Sequence, residues 1–186
     1  MTTSQSMTFG GRERTWRVRL PSGYDGTPRP ILFVLHGGFG TGEQIQTRQA
    51  GFDPIAEREN VIVVYPNGIA VDETATNPLQ RAQTWNGGAC CGPAAEQDVD
   101  DVGFLTAVLD RVEEEACVDT GRVFFTGMSN GGIMSYRMGC ERADRVTAIA
   151  PVAGSLQLET CAPSRQVPLF AVHGTLDENV PYVGGT

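Results

Sequence analysis

Short apolar runs, each ending within five or six residues at glycine, proline or asparagine, set the terms on which this chain folds. "ILFVL" at 31–35, "VIVVY" at 61–65 and "VFFT" at 123–126 show no polar alternation. A strand built from any of them buries both faces, as inner strands of a parallel sheet do. "VTAIAP" at 146–151 and "VPLFAV" at 167–172 continue the series. The intervals read as helices. "FDPIAEREN" looks like the end of a crossover, Val102, Leu105, Leu109, Val112 and Ala116 recur at steps of three and four, and a further helix is expected over 130–140. Strands alternating with helices imply right-handed crossovers and a mostly parallel α/β sheet with helices on both faces. By contrast "RTWRVRL" alternates, predicting a half-exposed strand over 14–20 that "PSGYDGTPRP" breaks, a hairpin-like N-terminal edge.

The 186 residues suit one domain, 1–186, with a hydrophobic core of its own. A net charge of −8 without a basic cluster argues against nucleic acid and anionic membrane as partners, and no segment has the apolar length of a membrane span. A neutral or weakly charged substrate fits better. The five cysteines (Cys90, Cys91, Cys117, Cys140, Cys161) form no Cys-x-x-Cys or histidine cluster of the kind that binds zinc, and point to disulfides formed in an oxidising compartment. An odd count leaves one thiol unpaired or bonded outside this sequence. Cys140 and Cys161 are the expected pair, and adjacent Cys90 and Cys91 are each expected to bond a distant cysteine. No signal peptide is visible in "MTTSQSMTFGGRERTW".

Chemistry concentrates at "VFFTGMSNGG". Gly127-Met128-Ser129-Asn130-Gly131 is a Gly-x-Ser-x-Gly pentad set between a strand and a helix, the context in which a sharp turn lifts a nucleophilic serine above a sheet. Ser129 is the expected nucleophile, and the Asn130 N–H, at the helix start, an oxyanion donor. "LHGGFGTGE" after "ILFVL" offers the second donor, Gly38 first and Phe39 second, with His36 holding its loop through backbone hydrogen bonds. "FAVHGTLDENVPY" supplies Asp177 as the acid that orients an imidazolium, Glu178 being a weaker rival. Residues 66–97 have little regular pattern and form a candidate active-site wall, with Trp85 either stacking on substrate or anchoring the loop. Asp98, Asp100 and Asp101 read as caps of the helix that follows them.

"LHGGFGTGE", "TWNGGACCG", "VDDVGFL", "VFFTGMSNGG", "IAPVAGSL" and "VHGTLDENVPY" together resemble the polyhydroxybutyrate depolymerase-like family of α/β-hydrolases, which includes feruloyl and acetyl xylan esterases of carbohydrate esterase family one. The resemblance implies the α/β-hydrolase fold and a secreted serine esterase with no metal and no organic cofactor. Its substrate would be a polymeric or small ester, either polyester or the esters that decorate plant polysaccharides. It also supports Ser129 as nucleophile, Asp177 as acid and Asn130 with the "HGG" loop as oxyanion region. The oligomeric state is left open.

One element is missing. In α/β-hydrolases the triad runs serine, acid, histidine along the chain, yet His36 and His173 are the only histidines and both precede Asp177. The expectation is a C-terminally truncated copy without the catalytic histidine, the last strand and the last helix, whose segment 167–172 is left as a bare sheet edge. Two rival readings are a non-catalytic pseudoenzyme or binding module that kept the fold, and an α/β-hydrolase serine peptidase.

Overall fold

The computed structural model describes residues 1–49, 51–70, 72, 74 and 81–184. Two glycines open the architecture: Gly10 and Gly11, with φ of 59° and 75°, turn strand β1 (Thr2–Phe9) back on β2 (Arg12–Arg19). Paired left-handed residues match the twist of an antiparallel hairpin, and glycine adopts them without steric cost. β1 is a strand that its polar sequence did not announce, and it pairs with the strand that holds "RTWRVRL" to make the N-terminal hairpin.

The apolar runs fold as strands β3 (Arg29–Leu35), β4 (Ile62–Pro66), β7 (Val118–Met128) and β8 (Ala148–Val152). With the hairpin they make a six-stranded sheet in the order β1-β2-β4-β3-β7-β8, antiparallel at the first two pairings and parallel from β4 to β8. A second, two-stranded ribbon joins β5 (Ile69–Ala70) to β6 (Gln83–Thr84).

Helices α4 (Asp101–Glu115) and α5 (Asn130–Glu141) cover one face of the sheet. Their Phe104, Leu105, Val108, Met134 and Met138 meet Phe33, Leu35, Ile62, Val64 and Phe125 in the main core. Phe33 and Phe125 are stacked with centroids 4.5 Å apart. The other face carries a short helix α1 (Gly42–Gln44), a π-helical turn (Ile45–Gln49) and α2 (Phe52–Glu59), which bury Ile45 and Ala56 against Val34, Val63 and Tyr65. The last helix, α3 (Gly92–Glu96), lies in the long connection after β6.

Three expectations are corrected. Residues 167–172 run parallel to β8 but pair with it only at two isolated bridges, Ile149 with Leu169 and Val152 with Val172. They remain largely exposed, because no helix packs over Leu169 and Phe170 among the described residues. Neither Cys90 nor Cys91 has a distant partner, since Cys140 and Cys161 pair with each other and Cys117 is free; the two adjacent residues lie with their Cα atoms 3.1 Å apart. Asp101 is fully buried in an ion pair with Arg14 and caps nothing, whereas Asp100 does cap α4, accepting the Gly103 N–H at 2.7 Å. The expected Cys140–Cys161 pair is present, the sulfurs 2.00 Å apart, and Cys117 is free and exposed.

Candidate active site

The elbow is built from what its glycines lack. A Cβ on Gly127 would sit 2.6 Å from the carbonyl of Gly131 and 2.7 Å from Leu35 O, and one on Gly131 would strike Leu35 O. β7, the start of α5 and the end of β3 therefore touch backbone to backbone. Ser129 turns the chain between them at φ 54°, ψ −122°. A non-glycine residue held there stores on the order of 1–3 kcal/mol of strain, which the surrounding structure must overcome. Two hydrogen bonds do so, Ser129 N–H to Val152 O and Ile133 N–H to Ser129 O, each 2.9 Å.

The strip His36-Gly37-Gly38-Phe39 leaves β3 beside this turn. A Cβ on Gly37 would lie 3.7 Å from Ser129 Cβ, and one on Gly38 3.7 Å from Asn130 Cβ. His36 is fully buried. Its Nδ1–H donates to Gly37 O at 2.8 Å, and its Nε2 accepts the Gly68 N–H at 3.0 Å. Burial pushes its pKa down to about 4, so the ring is neutral at pH 7 and occupied at both nitrogens. It is a loop-positioning residue, as the sequence led us to expect. The Phe39 N–H donates to Gln83 O at 2.7 Å. The N–H groups of Gly38 and Asn130 have no acceptor among the described residues.

Trp85 is fully buried and is held as an anchor between the two segments. Its indole Nε1–H donates to His36 O at 3.0 Å, its N–H to Asn130 Oδ1 at 2.7 Å, and its carbonyl accepts Asn130 Nδ2 at 2.9 Å. One residue thus ties the histidine of one strip to the asparagine of the other. The expected wall formed by residues 66–97 is in this part a brace, and residues 71, 73 and 75–80 of that stretch lie outside the described residues.

A buried polar chain that sequence reasoning missed supports the brace. Arg14 donates to Asp101 Oδ1 at 2.7 Å, Asp101 Oδ2 accepts the Asn86 N–H at 2.8 Å, and Arg137 donates to Asn86 O at 2.9 Å. The Arg14 guanidinium also lies 3.8 Å over the Phe104 ring. A signal was available: in "RTWRVRL" Arg14 shares the inward register of Trp16 and Val18, and an arginine on a buried face requires a carboxylate.

On the far side, segment 168–172 brings the acid loop to the same end of the sheet, with Ala153 N–H donating to Val172 O at 2.8 Å. Asp177 Oδ1 accepts the N–H groups of Asn179 and Val180, both at 2.9 Å, which holds its carboxyl below the usual range. Its Oδ2 lies 3.5 Å from His173 Nε2, and that nitrogen is 2.7 Å from Val180 O. Both side chains are engaged within their own loop, and among the described residues Asp177 makes no hydrogen bond to Ser129.

Residues 25–186 match the phospholipase/carboxylesterase family. The chain is 34% identical over 178 residues to feruloyl esterase B of Piromyces equi, covering 90% of this chain and 30% of that protein. It is 34% identical over 171 residues to feruloyl esterase D of Neurospora crassa, covering 91% and 55%. It therefore spans roughly a third to a half of the length of these relatives. The crystal structure of a thermostable esterase superposes with a TM-score of 0.71 at 18% identity, covering 98% of this chain and 48% of the other, which supports the fold. With this sheet order and the strand–turn–helix at Ser129 in place, the chain belongs to the phospholipase/carboxylesterase family of α/β-hydrolases.

Proposed function

We propose that the chain carries the nucleophile and oxyanion machinery of a serine carboxylic-ester hydrolase acting on feruloyl or acetyl esters. The observation that carries this reading is Ser129 held at φ 54° between β7 and α5, beside two unengaged N–H groups, those of Gly38 and Asn130. A strained serine next to free donors suits attack on a carbonyl and stabilisation of the resulting oxyanion, and a helix cap requires neither. Because the Phe39 N–H is already committed to Gln83 O, Gly38 is the preferred second donor. Asp177 is the acid in this reading. The feruloyl esterase names of two relatives favour ester over peptide substrates. The bonded geometry of Cys140 and Cys161 fits an extracellular site of action.

The base is the open position. Both nitrogens of His36 are used by the backbone, and His173 Nε2 faces Val180 O, so neither histidine serves Ser129 in this reading. A hydroxyl without a base retains only the catalysis of the oxyanion hole and binding. The 186-residue chain is therefore expected to hydrolyse p-nitrophenyl acetate slowly, and added imidazole is expected to accelerate it in a way that Ser129→Ala abolishes. Equal imidazole-stimulated rates in parent and variant would favour the binding-module alternative.

A further inference from the structure

Phe39 stands where the fold itself would prefer another residue. Its φ is 66°, a conformation that glycine adopts freely and a bulky side chain rarely does. The backbone has no freedom to relax, since Phe39 N–H is bonded to Gln83 O, Gly40 N–H to Gly37 O, and Gly40 bridges Gln83. Packing gives no compensation: the side chain is 72% exposed, while Trp85 in the adjoining strip is fully buried. Single exposed apolar residues are ordinary on protein surfaces. An exposed phenylalanine fixed in a left-handed backbone one residue from an oxyanion donor is not.

Its neighbours suggest the use. Gly37 connects the strip to Ser129 and to Met128, whose Cε would lie 3.8 Å from a Gly37 Cβ and whose side chain is also partly exposed. The two segments that meet at Ser129 thus each carry an exposed apolar side chain, the Phe39 ring on one and the Met128 thioether on the other. A carbonyl oxygen placed at the Gly38 and Asn130 N–H groups leaves its acyl substituent to run along this rim. We propose that Phe39 is a specificity-determining platform on which the aromatic ring of a hydroxycinnamoyl-type acyl group stacks, with Met128 closing against it. Ring–ring and sulfur–ring contacts supply the attraction. The orientation of the acyl group rests on the ester-hydrolase reading of Ser129.

The test is a titration of the 186-residue chain with methyl ferulate, followed by ligand fluorescence, alongside Phe39→Gly and Phe39→Trp. Phe39→Gly should weaken binding about fivefold to tenfold, and Phe39→Trp should bind within about threefold of the parent. Thermal unfolding should find Phe39→Gly as stable as the parent or more so, because the glycine relieves the backbone. A parent that does not bind methyl ferulate, or a Phe39→Gly variant within about twofold of it, overturns the proposal. The two readings fail separately. Binding through Phe39 without acyl transfer from p-nitrophenyl acetate to Ser129 removes the ester-hydrolase reading and keeps the platform, and acyl transfer with ferulate binding indifferent to Phe39 does the reverse.

Discussion

The two faces of the sheet are made from neighbouring residues of the same strands, yet they are finished differently. Under α4 and α5, Ile31, Phe33, Val123 and Phe125 are fully buried. On the opposite face α2 and the π-helical turn cover Val34, Val63 and Tyr65, but toward β8 an apolar groove of about 440 Å³ runs between Leu32, Phe124, Ala148, Ala150 and Phe170. Among the described residues, seven of the ten exposed large hydrophobics follow β8 in the chain, from Leu156 to Val183. Ser129 and the strip 36–39 are thus fastened to a closed core, while the loop that carries Asp177 hangs from the open side. The Ser129 turn is held by both, through its contacts with β3 and through its hydrogen bond to Val152 O of β8.

Adjacent residues of β7 separate the two faces most sharply. Phe125→Ala, which empties a stacked and fully buried site, should cost ~3–5 kcal/mol in a denaturant titration. On the same covered side, Asp101→Ala leaves the Arg14 guanidinium buried and unpaired, and is expected to cost a similar ~3–5 kcal/mol. Replacing Arg14 by Met in that background should recover much of the loss. If Asp101→Ala is tolerated within ~1 kcal/mol, the buried chain does not brace the site as described.

The next effect depends on pH. His36 has a folded pKa near 4 against 6.5 for a free ring, so between these values the unfolded chain binds the additional proton. Stability that is complete above pH 6.5 should fall as the pH drops toward 4, by on the order of 3 kcal/mol. Denaturant titrations at pH 7 and pH 4.5 measure the loss, and His36→Asn should flatten it. Last comes Phe124→Ala in the open groove, for which about 1 kcal/mol or less is expected. A cost equal to that of Phe125→Ala would mean that the two faces are alike.

Much of this was legible in the residues, and the remainder divides by physical cause. Continuous apolar runs announced β3 and β4, whose residues are buried on both faces and cannot alternate, and apolar runs also marked β7 and β8, although β8 fully buries only alternate residues. The pentad placed the elbow, because only glycine tolerates the contacts at 127 and 131. β1 was missed because an edge strand facing water can be as polar as "TTSQS". The role of Trp85 stayed open between stacking and anchoring because it depends on where a 32-residue connection folds, and local pattern carries no information on that.

The most direct test of the central claim, that Ser129 is a positioned nucleophile, is peptide mapping by mass spectrometry after incubation with p-nitrophenyl acetate and imidazole. All 14 basic residues of the chain are arginines, so acetylated lysine cannot confuse the map. The account predicts an acetyl group on Ser129 that is absent from Ser129→Ala and not replaced at other serines. Acetylation spread over exposed hydroxyls, with the Ser129 peptide unmodified, would contradict it.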